Sequence, residues 1–272
     1  MAQSASPTPR KRTARDRTRR VLSQNFLRDP AAIEQIVRAA RIGPADLVVE
    51  VGAGEGHLTR ALARRAGRVL AYEVDPAPAA RLRETCAALP TVTCLVEDFL
   101  TAPAPARPFA VVGNIPYALT APIVDWCLRA PGLTSATLVT QLEYARKRTG
   151  DFGRWSRLTV RSWPEFEWRL AGRLPRTAFR PAPRVESGLL RLARRPVPLL
   201  PPDAMPAYRR FVELGFGGLG GSLHASLCRG YPPRRVDAAA RAARLAVDTP
   251  VGYVWPEQWL ALFRLLRAPG RG

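Results

Sequence analysis

Between Leu47 and Thr140 five short apolar runs recur: Leu47 to Val51, Arg68 to Glu73, Thr91 to Val96, Phe109 to Gly113 and Ala136 to Thr140. Each is too short and too continuously apolar for an amphipathic helix, and reads as a buried strand. The stretches between them are long enough for crossover helices. Strands that alternate with helices build a parallel sheet with right-handed connections, so an α/β fold is expected. Ahead of the first strand, Asp29-Pro30 supplies an N-cap and a first-turn proline, and Ile33, Ile36, Val37 and Ala40 follow at helical spacing. Together they predict a helix over Pro30 to Arg41. Further on, Glu165 to Leu170 and Gly188 to Leu192 are β-like runs around a Pro-rich loop, which predicts a terminal antiparallel hairpin.

Three segments follow from this pattern. Residues 1–20 are rich in Ser, Thr, Pro and Arg, lack the large apolar side chains of an amphipathic transit helix, and read as a disordered basic arm that grips phosphate. Residues 21–195 hold the α/β alternation. Residues 196–272 open with a Pro-rich linker, after which Tyr208 to Phe216, Val236 to Leu245 and Pro256 to Leu266 show helical periodicity and no strands. That end reads as a small helical domain.

The 272 residues carry 42 Lys and Arg against 22 Asp and Glu, a formal net charge of +20. A surface of that sign attracts polyanions by counterion release, so nucleic acid is the expected partner. The bias of a GC-rich coding sequence explains Arg in place of Lys, but not the excess over acid. No stretch approaches the roughly 18 apolar residues of a membrane span. Cys86, Cys94, Cys127 and Cys228 have no Cys-x-x-Cys spacing, and the histidines are His57 and His224. No metal site and no disulfide framework is therefore expected, and the chain reads as a cytoplasmic monomer.

Glu50-Val51-Gly52-Ala53-Gly54-Glu55-Gly56 stands where the first strand ends and a helix, His57 to Ala66, begins. Gly52, Gly54 and Gly56 permit a tight turn at the carboxyl edge of the sheet, where open α/β folds bind ligands. A dinucleotide site would want its third glycine at position 57; Gly-x-Gly-x-Gly is the spacing of nucleoside-methionine binders. The next strand ends at Glu73-Val74, where a carboxylate can accept hydrogen bonds from ribose hydroxyls. The third ends at Glu97-Asp98-Phe99, offering a carboxylate to an adenine amino group and a ring for stacking. His57, in a helix first turn beside glycines, reads as a packing or capping residue.

Asn114-Ile115-Pro116-Tyr117 closes the fourth strand and carries the most specific chemistry. An adenine amino nitrogen is a poor nucleophile because its lone pair is delocalised into the ring. If the Asn114 amide oxygen and the Ile115 carbonyl both accept its hydrogens, the lone pair turns out of the plane and can attack a sulfonium methyl in line. Pro116 would stiffen the turn and Tyr117 would stack on the base. No general base is required, because the proton leaves after positive charge has formed, and the acceleration comes from positioning.

Gln24-Asn25-Phe26-Leu27, the glycine turn, Glu73, Asp98, Asn114 to Tyr117 and Phe179-Arg180-Pro181-Ala182-Pro183-Arg184-Val185 together resemble the ribosomal RNA adenine dimethyltransferase family, over about Leu22 to Leu192. The resemblance implies a Rossmann-like class I methyltransferase sheet and S-adenosyl-L-methionine as cofactor. It also implies that Gln24 and Asn25 close over the methionine end and that Phe179 lies near the target base. Of the two bacterial branches, the Erm macrolide-resistance methyltransferases of 23S rRNA and the housekeeping 16S dimethylases, Asn114 to Tyr117, Gln141 to Arg148 and the short C-terminal domain resemble actinobacterial Erm proteins. That implies methylation of one adenine in the peptidyl-transferase loop and resistance to macrolides, lincosamides and streptogramin B.

A target adenine must leave its stack, so a loop adenine is expected. Tyr144, Arg146, Lys147, Arg148, Arg154, Trp155 and Arg157 form a basic-aromatic patch, which Arg161, Arg173, Arg176, Arg180 and Arg184 extend around the base pocket. Leu142-Glu143, apolar and acidic inside this stretch, reads as a buried helix turn. Two rivals are a non-catalytic RNA-binding assembly factor, opposed by the intact tetrapeptide and glycine turn, and a DNA adenine methyltransferase, whose usual Asp- or Asn-Pro-Pro form is absent.

Overall fold

The structure, a computed structural model, describes residues 25–218 and 221–267. The basic arm over residues 1–20 and Gln24 lie outside the described residues. After a short strand β1 (Phe26–Leu27) and helix α1 (Pro30–Ala40), the chain alternates β2 (Leu47–Val51), α2 (His57–Ala63), β3 (Arg68–Tyr72), α3 (Pro76–Cys86), β4 (Val92–Leu95), β5 (Phe109–Asn114), α4 (Thr120–Arg129) and β6 (Leu133–Gln141). Two short helices, α5 (Leu142–Arg148) and α6 (Arg157–Ser162), precede β7 (Phe166–Leu174), β8 (Phe179–Arg180) and β9 (Ser187–Arg194). The chain ends in α7 (Met205–Phe216), α8 (Leu223–Leu227), α9 (Pro233–Ala242) and α10 (Pro256–Arg267).

The main sheet has the order β4-β3-β2-β5-β6-β9-β7. β2 to β6 pair parallel, and β9 pairs antiparallel with both β6 and β7. The α/β class and the terminal antiparallel hairpin are as the sequence pattern predicts. β9 inserts between β6 and β7, so the last strand of the hairpin joins it to the parallel sheet. Chain direction from β2 runs outward to β3 on one side and to β5 on the other, which opens a crevice at their carboxyl ends.

Strand alternation divides the interior. Val48, Val69, Ala71 and Val112 pack with Ile36, Leu58 and Leu82 of α1 to α3 on one face. Leu47, Val49, Val51 and Val111 pack with Ile123, Val124 and Cys127 of α4 on the other. Helices cover both faces, which is why the strands read as continuous apolar runs. A third cluster joins α7 to α10 and also takes in Trp155 and Val160. The Tyr208 hydroxyl donates to Val160 O at 3.0 Å and Trp155 N donates to Gly252 O at 2.7 Å, so α6 is fastened to the C-terminal helices.

Differences from the sequence reading sit mainly at element ends. α1 stops at Ala40 because Arg41 adopts a left-handed cap, φ 55°. β6 begins at Leu133, before the apolar run shows, because its pairing with β5 starts there, Leu133 opposite Phe109. The α8 helix, N-capped by the Ser222 hydroxyl on Ala225 N, is too short to show periodicity.

Candidate active site

The turn after β2 is built from backbone hydrogen bonds. Gly52 N and Ala53 N both donate to Tyr72 O at 3.0 Å, and Gly54 N donates to Glu73 Oε2 at 2.9 Å. The other Glu73 oxygen accepts from Asp75 N at 2.9 Å. Glu73 is thereby fixed at the end of β3, with lone pairs left on both oxygens. Gly52 has φ 72°, and a Cβ there would lie 3.2 Å from Asn114 O. The glycine brings the turn against the end of β5, and a side chain would intrude there.

Between these strand ends lies a cleft with a cavity volume of about 210 Å³. Asn25, Gly52, Gly54, Glu73, Val74, Asp98, Phe99 and all four residues Asn114, Ile115, Pro116 and Tyr117 line it. Asp98 is oriented by accepting from Leu100 N at 3.2 Å. The Asn114 side chain donates through Nδ2 to Asn25 O at 2.8 Å. That bond orients the amide so that its Oδ1 is the remaining acceptor. Pro116, φ −58°, opens a single turn closed by Leu119 N donating to Pro116 O at 2.8 Å. The Tyr117 hydroxyl and Ser187 Oγ share a hydrogen bond of 2.7 Å. Partial burial holds the Tyr117 phenol above its ordinary pKa, against the opposing pull of that hydrogen bond.

Three expectations require correction. Glu50 does not line the cleft. It shares the strand face of Val48, so its carboxyl points into the α1 to α3 layer, 1% exposed, and burial, reinforced by Glu73, pushes its pKa up to about 8. Gly56 caps α2 with φ 89° and faces α3, since a Cβ there would meet Leu82 at 3.0 Å. Phe99, by contrast, lines the cleft, its ring 4% exposed and packed on Trp126 (centroids 4.3 Å apart) and Tyr72 (5.8 Å). Phe179 is fully buried among Leu27, Ile36 and Leu189 and does not line the cleft. Its neighbour Arg180 takes the outward position of β8, as alternation requires.

His57 is the first residue of α2 and lies beside an ion-pair cluster. Arg28 donates to its Nε2 at 3.1 Å and also pairs with Glu55 at 2.7 Å, while Glu55 in turn holds Arg81. Sequence reasoning missed Leu119 and Ile123 at the cleft, and Ser187 as the partner of Tyr117. Ser187 is 70 positions from Tyr117, and no local pattern marks such a partner.

The basic patch divides. Arg146 pairs with Asp151 and stacks on Phe152, 3.7 Å from the ring centroid. Arg154 donates to the Tyr253 hydroxyl at 2.7 Å, Arg157 pairs with Glu213 at 3.0 Å, and Arg148 lies over Tyr144. Lys147, Arg180 and Arg184 are exposed. Leu142 is buried as expected, but Glu143 is exposed and lines a second cavity. Among the described residues no cluster of His, Cys, Asp and Glu could hold a metal, and no helix is long and apolar enough to cross a membrane.

The pattern of the ribosomal RNA adenine dimethylase family matches residues 15–268. An rRNA adenine N-6-methyltransferase of Streptomyces fradiae is 59% identical over 253 residues, covering 92% of this chain and 79% of its own length. One from Aeromicrobium erythreum is 56% identical over 256 residues, 94% of this chain and 75% of its own. Among solved structures, that of the 23S rRNA methyltransferase ErmE superposes with a TM-score of 0.86 at 52% identity, covering 89% of this chain and 99% of that one.

Proposed function

The chain belongs to the ribosomal RNA adenine dimethylase family, and on that premise we propose that it methylates the exocyclic N6 amino group of one adenine in the peptidyl-transferase loop of 23S rRNA. S-adenosyl-L-methionine is the donor in this reading, and the product resists macrolides, lincosamides and streptogramin B. The enzyme works as a monomer in the cytoplasm, where its substrate is made.

The observation that carries the reading is the Asn114 amide, held by Asn25 O at 2.8 Å beside the glycine turn, with Oδ1 left to accept. The cleft suits the donor on three counts. Glu73 keeps lone pairs for ribose hydroxyls, the Asp98 carboxylate can take an adenine amino group, and Phe99, Leu100 and Ile123 supply an apolar wall. When bound, S-adenosyl-L-methionine supplies an electrophilic methyl carbon on a sulfonium.

This chain then has one task, to present the nucleophile. Asn114 Oδ1 and Ile115 O each accept one hydrogen of the target amino group, which turns the nitrogen lone pair out of the purine plane. Pro116 keeps the two acceptors convergent. Tyr117, pinned by Ser187, offers its ring to the extruded base. Orientation of two held reactants replaces a general base. The helices after Pro196 form an RNA-side appendage seated on Trp155 and α6 in this reading, and exposed Lys147, Arg180 and Arg184 meet phosphate.

Labelled methyl donor supplied with naked 23S and 16S rRNA, followed by mapping of the modified base, tests the assignment. Label at one adenine of 23S rRNA is expected. Label in 16S alone would move the chain to the small-subunit branch; label in neither would leave an RNA-binding factor on an enzyme fold.

A further inference from the structure

Beside the cleft, at the same sheet edge, a second cavity of about 390 Å³ opens between α5 and the start of β9. Glu186 lines it, and the next residue, Ser187, holds Tyr117 on the cleft side. One step along the chain thus leads from the second cavity to the hydrogen bond that holds Tyr117 of the cleft.

Phe152 stands on the rim of this second cavity. Its side chain is 63% exposed and its backbone is left-handed, φ 69°, a conformation that a bulky residue rarely adopts. The turn beneath it is clamped: a Cβ on Gly150 would lie 2.3 Å from the Trp155 ring. The Phe152 ring thus stands out in water above a turn packed closely on Trp155. Arg146 covers one face at 3.7 Å and is itself tied to Asp151. Two carboxylates, Glu143 and Glu186, and two guanidinium groups, Arg176 and Arg184, line the same cavity. Arg176 spends its Nε on Pro183 O at 2.6 Å; Arg184 is exposed, with no ion pair among the described residues.

A flat platform, a pair of carboxylates and a free guanidinium match the three parts of a nucleotide: ring, donor-bearing base edge and phosphate. We propose that this cavity is a second nucleotide subsite, taking an unpaired RNA residue close to the target adenine, with its base stacked on Phe152. The inference rests on the RNA-methylating function proposed above. Arg184 and the remaining donors of Arg176 take the phosphate. Glu143 or Glu186 accepts from the base edge, which favours guanine, whose N1–H and N2–H can meet one carboxylate side by side, over bases with fewer donors. Arg146 supports the platform from below, as guanidinium groups do under aromatic rings. The subsite would explain how a site that grips only an adenine selects one adenine among many.

The test uses the full chain and hairpins of the 23S rRNA peptidyl-transferase loop, with the emissive guanine analogue thienoguanosine, which keeps N1–H and N2–H, placed at each loop position in turn. Binding should change the emission strongly at one position other than the target, and Phe152→Ala should abolish that change while Phe152→Trp keeps it. In methylation assays Phe152→Ala should raise KM for the RNA about tenfold or more, the scale of one lost stacked base, with kcat near that of the parent. Affinity for S-adenosyl-L-methionine without RNA should be unaltered, and Arg184→Ala should raise KM less and reduce its salt dependence. Emission that does not depend on Phe152, or a loss confined to kcat, overturns the subsite. A parent that binds the hairpin through Phe152 but transfers no methyl would overturn the methylation reading and leave the subsite standing.

Discussion

The cleft and the cavity next to it sit at one edge of one sheet, yet they are held in different ways. The cleft is made of main chain: Tyr72 O receives two turn amides, Glu73 receives two more, and Asn114 rests on Asn25 O. Its neighbour is made of side chains: Arg146 on Phe152 and Asp151, Arg176 on Pro183 O, Arg184 in solvent. Main-chain bonds fix positions that chemistry needs to a fraction of an ångström. Long side chains on a rim can shift to suit a large, irregular partner, and can be exchanged without disturbing the reaction.

If that contrast is right, the largest effect belongs to the amide clamp. Asn114→Ala should lower kcat by about 10²-fold or more, the scale of losing one preorganised polar contact to the reacting group, with RNA affinity little changed. Parallel titrations and single-turnover rates measure both, and an equal loss of affinity and rate would contradict the assigned role.

Next comes Glu50, a carboxyl buried beneath the glycine turn. Its folded pKa of about 8 lies above the ordinary 4.5, so the folded state holds the proton more tightly than the unfolded chain. Stability from this group is complete below the lower value and drains away as pH rises toward the upper one. Glu50→Gln cannot ionise and should flatten the stability curve across that window, leaving the variant ahead near the upper end by up to a few kcal/mol. Denaturant midpoints at about pH 5 and about pH 8 report the slope; a parent whose midpoint does not fall between them would remove the buried ionisation from the account.

Gly52→Ala tests the main-chain side directly. The added Cβ meets Asn114 O at 3.2 Å in a left-handed conformation, so a loss of about 1–2 kcal/mol in stability is expected, with a larger loss of activity because the clash falls on the clamp. Thermal unfolding and turnover, compared on the same preparation, separate the two; a variant that loses stability but not activity would show that the turn tolerates displacement.

Smaller again is Tyr117→Phe, which removes the bond to Ser187 while keeping the ring. About 1 kcal/mol of stability and a modest rise in KM for RNA are expected, and calorimetry with steady-state kinetics measures both. A collapse of kcat would mean that the hydroxyl itself takes part in transfer. Least of all should follow from Arg157→Ala: an exposed pair with Glu213, 61% and 43% exposed, is worth under about 1 kcal/mol, and KM for RNA should barely move. A large rise in KM would return Arg157 to the RNA surface that the sequence suggested.

The same contrast governs what could be read beforehand. Parallel strands covered on both faces leave unbroken apolar runs, so β2, β3 and β5 were legible almost residue by residue. The glycine spacing and Asn114 to Tyr117 were legible because main-chain geometry demands particular residue types at fixed local spacing. Orientation was harder. Glu50 stands at the strand end beside the turn, but alternation turns it under the sheet with Val48, and the same rule buries Phe179 while exposing Arg180. Tyr117 and Ser187 meet only because β9 lies beside β6, one strand away from β5. Phe152 looks in sequence like any core aromatic, and only the clamped turn shows it pushed outward.

Trp155 deserves a last word because its ring packs in the C-terminal cluster while the turn it supports carries Phe152. The tail is therefore the foundation of that turn, and a shortened chain ending near Arg195 would leave Trp155 and Val160 bare. Hybrids that swap C-terminal helices between relatives should carry residues 155–163 with the incoming tail, since a tail moved alone would be seated on a foreign socket.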